Sequence, residues 1–478
     1  MIALAVILLI AFGVRVYNLT ILPVFADEAI YIRWAQVMKA ESTLRFLPLS
    51  DGKPPLFMWS VIPFLKIFED PLFAGRFVSV LTGVGTVLGV FVASYLLFRN
   101  KRVALISAFF VSLSPFSVFF DRLSLADSIL SFFGIWIFVF GYLTNKYLRL
   151  DLAMVTGFFV GFALLTKSPA LYFVLLLPSL WLFSKSFFKS LTYFLVTLFI
   201  GYVMYNILRL GPNFHLLASR NLDYVYPLSH VLTSPFDPFK PFIDRVREYY
   251  FMMGPGILVV NWLIGLLVNR KINFKKILVL FIWFLIPVMI SAEFSKTMTA
   301  RYVLFSVPFF MVIAGCGFLS TNKLLNRFSI LLFSIFLFQS LSFNYYLLTD
   351  PQKANLPRSE RSGYLEEWTA GHGIREIAAF LKSEFLNHKS NIVVGTEGYF
   401  GTLPDGLQMY LNDTPEITVI GVGLELDKLP SQRIDYLVAN NSRLFATPEE
   451  LGLGVVKSYP KATKPDGGLE TLYLFKVN

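Results

Sequence analysis

Residues 54–69 read Pro54-Pro-Leu-Phe-Met-Trp-Ser-Val-Ile-Pro-Phe-Leu-Lys-Ile-Phe-Glu69. The sidedness of the whole chain turns on whether this stretch crosses a membrane. It is apolar, but a span needs about 20 residues, and Pro54, Pro55, Pro63 and Lys66 interrupt it. Longer apolar runs lie near 1–18, 73–98, 103–120, 127–145, 151–166, 169–184, 189–209, 248–269, 275–292, 300–319 and 328–347. With 54–69 left out of the count, the turns between these runs sort by charge. One side carries Arg99, Lys101, Arg102, Lys146, Arg149, Lys185, Lys189, Arg270, Lys271, Lys275, Lys276, Lys323 and Arg327. The other carries Asp27, Glu28, Lys53, Asp121, Arg122, Asp127, Lys167, Glu293 and Arg301. If 54–69 spanned, every basic turn would face outward, against the tendency of Lys and Arg to stay in the cytoplasm. The stretch therefore reads as a helix in the interface. The N-terminus is expected in the cytoplasm. Loops 19–72 and 210–247 are expected outside, with the C-terminus outside after about eleven spans.

The totals agree with a multi-span membrane protein. Of 478 residues, 55% are hydrophobic, 17% aromatic and only 15% charged, which no soluble globular domain matches. The net charge of +11 is a loop property in such a chain, so it does not argue for nucleic acid. The single Cys316 lies in an apolar run, so it offers neither an intrachain disulfide nor a cysteine cluster for metal. The first run, 1–14, has no basic lead and no small-residue cleavage site, and is read as a retained span.

The composition changes near Asp350, where apolar runs stop and charged residues, Gly and Pro rise. Residues 373–385 read as an amphipathic helix, and 391–395, 417–422, 435–439, 455–459 and 471–477 as strands. The expected fold class is an all-α polytopic membrane domain over 1–348, with interfacial helices in its first external loop. A small α/β domain over 349–478, outside the membrane, follows it.

The external side holds nearly all the acids of the membrane part, so chemistry is expected there. Ionisable groups are costly at a membrane and mark function by default. Asp27-Glu28 also reads as the first turn of a helix, where acids favour the dipole. Lys53, before Pro54-Pro55, reads equally as a snorkelling cation or as an anion ligand. Asp121-Arg122 and Asp127 fall in one external turn, where pairing and capping are the competing readings. Lys167 sits in a tight turn and reads first as a snorkelling cation. Arg301 opens a span on the side where positive charge is unexpected, and is read as a phosphate ligand. Acids that can take a proton from a hydroxyl, beside cations that can hold a phosphate, suggest group transfer from a lipid-linked phosphate.

The ordered series Asp27-Glu28, Lys53-Pro54-Pro55-Leu56, Gly75-Arg76-Phe77, Arg122 with Asp127, Leu165-Thr166-Lys167 and Arg301-Tyr302 resembles the GT-C membrane glycosyltransferases. Within them it is most similar to the protein O-mannosyltransferases and the lipid A aminoarabinose transferases, over residues 1–320. The resemblance implies Asp27 as the base or orienting group for the acceptor hydroxyl, supported by Glu28. It implies Asp127 as a second essential acid, and Lys53, Arg301, Arg122 and Lys167 at the donor phosphate. It implies a polyprenyl- or dolichyl-phosphate sugar donor and a single inverting displacement. The acceptor is a protein, a glycolipid or a polysaccharide. No ligand set for a divalent cation is clear, so metal dependence is left open. The chain lacks the large late-loop domain of the eukaryotic protein mannosyltransferases, which weakens the case for a protein acceptor. A pentosyl- or oligosaccharyl-transferring relative of the same fold is the second reading. A transporter or lipid flippase is the reading from another class; it fits less well, because the charges cluster at outer helix ends rather than mid-membrane.

Overall fold

The computed structural model describes residues 2–254, 256–269, 273–319, 322–423, 434–447, 450 and 453–477. The chain forms two compact units, and neither is continuous in sequence. The first gathers Met1–Tyr17, Thr43–Ser60 and Arg76–Pro357; the second gathers Asn18–Ser42, Val61–Gly75 and Arg358–Asn478. The division expected at 348/349 instead falls between Pro357 and Arg358, and most of the expected external loop 19–72 folds with the second unit.

The first unit is helical. Among the described residues, six helices are long and apolar enough to cross a membrane: Pro71–Phe98, Ala126–Tyr147, Phe187–Leu210, Phe274–Phe294, Ala300–Leu319 and Lys323–Thr349. The first of these begins five residues before the unit's third segment, which starts at Arg76. The chain is an integral membrane protein. The other expected spans are occupied by shorter or broken helices. Ile2–Val16, Leu150–Leu164 and Ser168–Phe183 are shorter. The expected span 103–120 is split into Lys101–Leu113 and Pro115–Phe120 at Ser114-Pro115, because proline has no amide to continue the ladder. The expected span 248–269 is divided between Phe239–Met252 and Ile257–Asn269. Residues 56–61 form only a short helix, and 64–66 a single further turn, as proline at 63 requires.

Small residues set the helix packing, as expected where lipid removes the hydrophobic drive between helices. A Cβ on Gly157 would lie 2.8 Å from Ile200, and one on Gly161 2.4 Å from the Met204 sulfur. These glycines let the helices 150–164 and 187–205 approach closely. The turns sort to two ends. At one end Tyr193 donates to the Leu148 carbonyl at 3.0 Å, and the Lys276 ammonium lies 5.6 Å from the Phe98 ring centroid. This is the basic set of turns. Arg270 and Lys271, expected among them, lie outside the described residues.

The second unit is built on a five-stranded sheet. β1 (Val24–Phe25) and β2 (Ala370–Gly371) form a separate antiparallel pair, with Val24 opposite Gly371. β3 (Ile392–Thr396), β4 (Ile417–Gly421), β5 (Tyr436–Asn440), β6 (Gly454–Pro460) and β7 (Thr471–Lys476) are ordered β4-β3-β5-β7-β6. β3 runs parallel to β4 and β5, and the β5–β7 and β7–β6 pairs are antiparallel. β5 is central and buried along its whole length, whereas β6 lies at the edge and is largely exposed. The helix Ile374–His388 packs Ile377 and Leu381 onto Val394, Val438 and Leu474.

The same core takes in Val24, Ala29, Ile32 and Leu72 from the early part of the chain. Ala29 and Ile32 are fully buried and share one face of the helix Ala26–Ala40. A Cβ on Gly406, in the short helix Asp405–Tyr410, would lie 3.6 Å from the Ala29 Cβ, so the two helices pass closely. The helix that starts with Ala26-Asp27-Glu28 is therefore part of the framework of the second unit.

Candidate active site

The acid pair comes first. Ala26–Ala40 starts after Phe25, whose extended backbone is fixed by pairing with Ala370. The Glu28 carboxylate accepts the Phe25 amide at 3.0 Å and is fully buried. This is one arm of a capping box, the competing reading for this residue. Asp27 occupies the same first turn but is only half-buried. The two acids, adjacent in sequence, differ in exposure: Glu28 is buried and closes the helix end, and Asp27 is half-buried. Both belong to the second unit.

The remaining residues belong to the first unit. Asp127 lies in the first turn of Ala126–Tyr147, where a carboxylate suits the positive helix end. Its side chain is 5% exposed and accepts the Lys167 ammonium at 2.6 Å. Lys167 is one-quarter exposed and stands 5.0 Å from the centre of the Tyr302 ring. The Arg301 guanidinium is 5.5 Å from the same ring. One aromatic ring is thus close to two cations, with Asp127 holding the first of them.

Lys53 enters through the backbone. The Leu56 amide donates to the Leu165 carbonyl at 3.0 Å, tying the Lys53-Pro54-Pro55 segment to the turn that carries Lys167. Phe46, Leu49, Leu165, Leu208 and Leu217 bury the junction. The Lys53 ammonium is 3.1 Å from Asp51, which also takes Arg220. Val225 and Ser295 form an antiparallel bridge, and the Lys296 ammonium donates to the Leu222 carbonyl at 2.6 Å. Segments around 51–56, 127, 165–168, 220–226 and 295–302 are thereby joined at one end of the first unit. This end is opposite in sequence logic to the basic turns, as the charge sorting expects.

Arg122 stands apart. It is fully buried, and its Nη1 lies 3.2, 2.9 and 2.6 Å from the carbonyl oxygens of Val14, Arg15 and Tyr17. It thus covers the orphan carbonyls at the end of Ile2–Val16. Burial, with Arg76 and Arg15 nearby, pulls its pKa down to about 9, so it stays charged at neutral pH. Asp121 is likewise committed. Its carboxylate takes the Arg15 Nε at 2.9 Å and the Ser128 hydroxyl at 2.6 Å. A Cβ on Gly83 would lie 2.5 Å from that carboxylate, so glycine is what lets helix 71–98 pass it. Sequence reading did not single out Arg15. The signal was available: it ends the first apolar run on the side where positive charge is unexpected, the reason given for Arg301.

Among the described residues, no group of three or more His, Cys, Asp or Glu side chains gathers as a metal site would require. The arrangement instead gathers cations, with an acid fixing one of them.

Comparison with known proteins bears on the same segments. Residues 52–208, about a third of the chain, match the family model of dolichyl-phosphate-mannose-protein mannosyltransferases. That range holds Lys53, Arg122, Asp127 and Lys167. No curated protein matches the chain. Among solved structures, the chain is similar to ArnT from Cupriavidus metallidurans bound to undecaprenyl phosphate, at 15% identity and a TM-score of 0.60. The match covers 99% of this chain and 97% of that one. It is also similar to the archaeal oligosaccharyltransferase AglB from Archaeoglobus fulgidus. There the identity is 12% and the TM-score 0.51, over 98% of this chain and 73% of that one. With its helical membrane unit, its small terminal sheet and these neighbours over nearly its full length, the chain has the GT-C fold of the membrane glycosyltransferases.

Proposed function

We propose that this protein is a membrane glycosyltransferase that moves a sugar from a polyprenyl- or dolichyl-phosphate donor to an acceptor hydroxyl. The observation that carries the proposal is the meeting of Lys53, Lys167 and Arg301, through joined backbone segments and one tyrosine ring, at a single end of the helical unit. The family match over 52–208 and a structural neighbour bound to undecaprenyl phosphate support it.

In the proposed reaction Asp27 accepts the proton of the acceptor hydroxyl. That oxygen forms a bond to the anomeric carbon as the bond from this carbon to the phosphate oxygen breaks. The electron pair leaves on the polyprenyl phosphate, and the configuration inverts. The chain's main task is then to position the reactants and to neutralise the leaving phosphate. Lys53 and Arg301 supply positive charge. Lys167 is a third cation, oriented by Asp127. Glu28 supports Asp27 by fixing the helix end. Arg122 acts at a distance, by securing the first helix.

The donor half is tested by undecaprenyl phosphate binding to the purified protein in detergent. Lys53→Ala and Arg301→Ala are each expected to weaken it about 10- to 100-fold, the value of one charge-assisted hydrogen bond. Unchanged affinity in both variants would remove the phosphate site.

The site-bearing end is proposed to face away from the cytoplasm, with the N-terminus inside. The basic turns at the other end support this orientation. Tyr147 is exposed and lies among them. A cysteine placed at that position is expected to react with an impermeant maleimide only after the membrane is opened. Labelling of intact cells would reverse the orientation.

A further inference from the structure

The second unit contains a cleft of about 620 Å³, within the range of small-ligand sites. It lies apart from every residue assigned above. Four segments line it: Gln36 and Lys39, Leu65 to Pro71, the helix Ile374–His388, and Met409 to Asp413. Its charges balance, with Lys39, Arg375 and Lys382 facing Glu69, Asp70 and Asp413. Arg375 pairs with Asp70 at 3.1 Å and Lys382 with Asp413 at 2.6 Å. Arg375 and Asp413 are 58% and 71% exposed in these pairs, so the pairs contribute little to stability. The core that these segments share brings them together, but it does not require charged pairs along the cleft.

The lining selects a ligand chemistry. A cleft of one sign would suit an anion or a cation, but a balanced one suits neither. Alternating carboxylates and cations offer acceptors and donors to a neutral polyhydroxyl compound. Phe68 and Tyr410 add aromatic side chains to the same lining. Extended peptides commonly add to an open strand edge, and no strand lines this cleft among the described residues. Its place along the chain adds a length. Gln36 and Lys39 close the C-terminal end of the helix whose first turn carries Asp27. Nine residues separate Asp27 from Gln36, about 14 Å at 1.5 Å per residue.

We infer that this cleft is a distal acceptor subsite for a saccharide. It holds the far sugars of an extended glycan or glycolipid headgroup while the reacting hydroxyl lies at Asp27. The acceptor is then a multi-sugar compound rather than a peptide. The inference rests on the transferase reading for its role, but the cleft's affinity for saccharide can be measured separately.

The test uses the full chain in detergent and octyl glycosides bearing one to four hexoses as probes. Binding is expected to tighten at least tenfold from one hexose to four. In the double variant Lys382→Ala/Asp413→Ala, which leaves no unpaired charge, that gain is expected to disappear. Undecaprenyl phosphate affinity and thermal unfolding are expected to be unchanged. Glu69→Gln, at an exposed position on the same wall, should reduce the gain without any risk to folding. The inference is overturned by binding that does not depend on sugar number, by a gain that survives both variants, or by a peptide displacing the four-hexose probe. Length-dependent saccharide binding with no sugar transfer by the wild type would uphold the cleft and sink the transferase reading instead.

Discussion

Asp27→Asn is expected to lower sugar transfer by about 10²- to 10⁴-fold, the range of a lost general base, with thermal unfolding unchanged. The position explains both halves. Asp27 is half-buried in the first turn of its helix, so asparagine fits there without disturbing the core. Its neighbour should behave in the opposite way. Glu28 is fully buried and accepts the Phe25 amide. Glu28→Ala leaves that donor unsatisfied and should destabilise the second unit by about 1–3 kcal/mol. Activity would then fall in step with folded protein. Measuring transfer and melting on the two variants together separates the roles. Full activity in Asp27→Asn, with loss in a stably folded Glu28→Gln, would exchange them.

Arg15→Leu carries the largest expected cost in stability. Arg15 is fully buried, and its guanidinium lies 2.9 Å from Asp121 and within hydrogen-bond distance of the carbonyls of Ala11, Val111 and Ser112. Removing it leaves the Asp121 carboxylate buried without its cation, a loss of about 3–5 kcal/mol. The double variant Arg15→Leu/Asp121→Leu removes both charges and should recover much of that, since two apolar groups bury without an unpaired charge. Thermal unfolding of the purified protein in one detergent checks it. A double variant as unstable as the single would mean that the carbonyl contacts, not the ion pair, dominate.

The helical unit was legible because lipid leaves few choices. Apolar runs near 20 residues must be helices, but which proline divides one was not legible: Pro115 splits the expected span 103–120, whereas Pro287 lies inside the unbroken helix Phe274–Phe294. The later strands were legible for another reason: 392–396, 436–440 and 471–476 are short apolar runs bounded by turn residues. The partition of the first loop was not legible. Val24-Phe25 is only two residues of strand, and its partner Ala370-Gly371 lies far away in sequence. No local pattern joins them, so residues 18–42 read as part of a membrane loop, although they share the core of the later sheet.

The site divides in the same way. Lys53, Lys167 and Arg301 stood out as charges at the ends of apolar runs. Whether such a charge is committed elsewhere depends on its partners, which spacing does not encode. Arg122 and Lys167 look alike in sequence, each a single cation in a tight turn between apolar runs. In the structure Arg122 closes a helix end, while Lys167 lies one-quarter exposed against Asp127 and Tyr302. The same spacing leaves Asp27 and Glu28 indistinguishable until the capping contact is seen.

The most direct test incubates membranes containing this protein with radiolabelled polyprenyl-phosphate sugars, mannose and aminoarabinose among them. The expected result is loss of label from at least one donor, with free polyprenyl phosphate formed and the sugar attached to a membrane acceptor, all absent with Asp27→Asn. No turnover of any donor above the Asp27→Asn membranes, with the labelled lipid or sugar instead crossing the bilayer intact, would contradict it and identify a transporter.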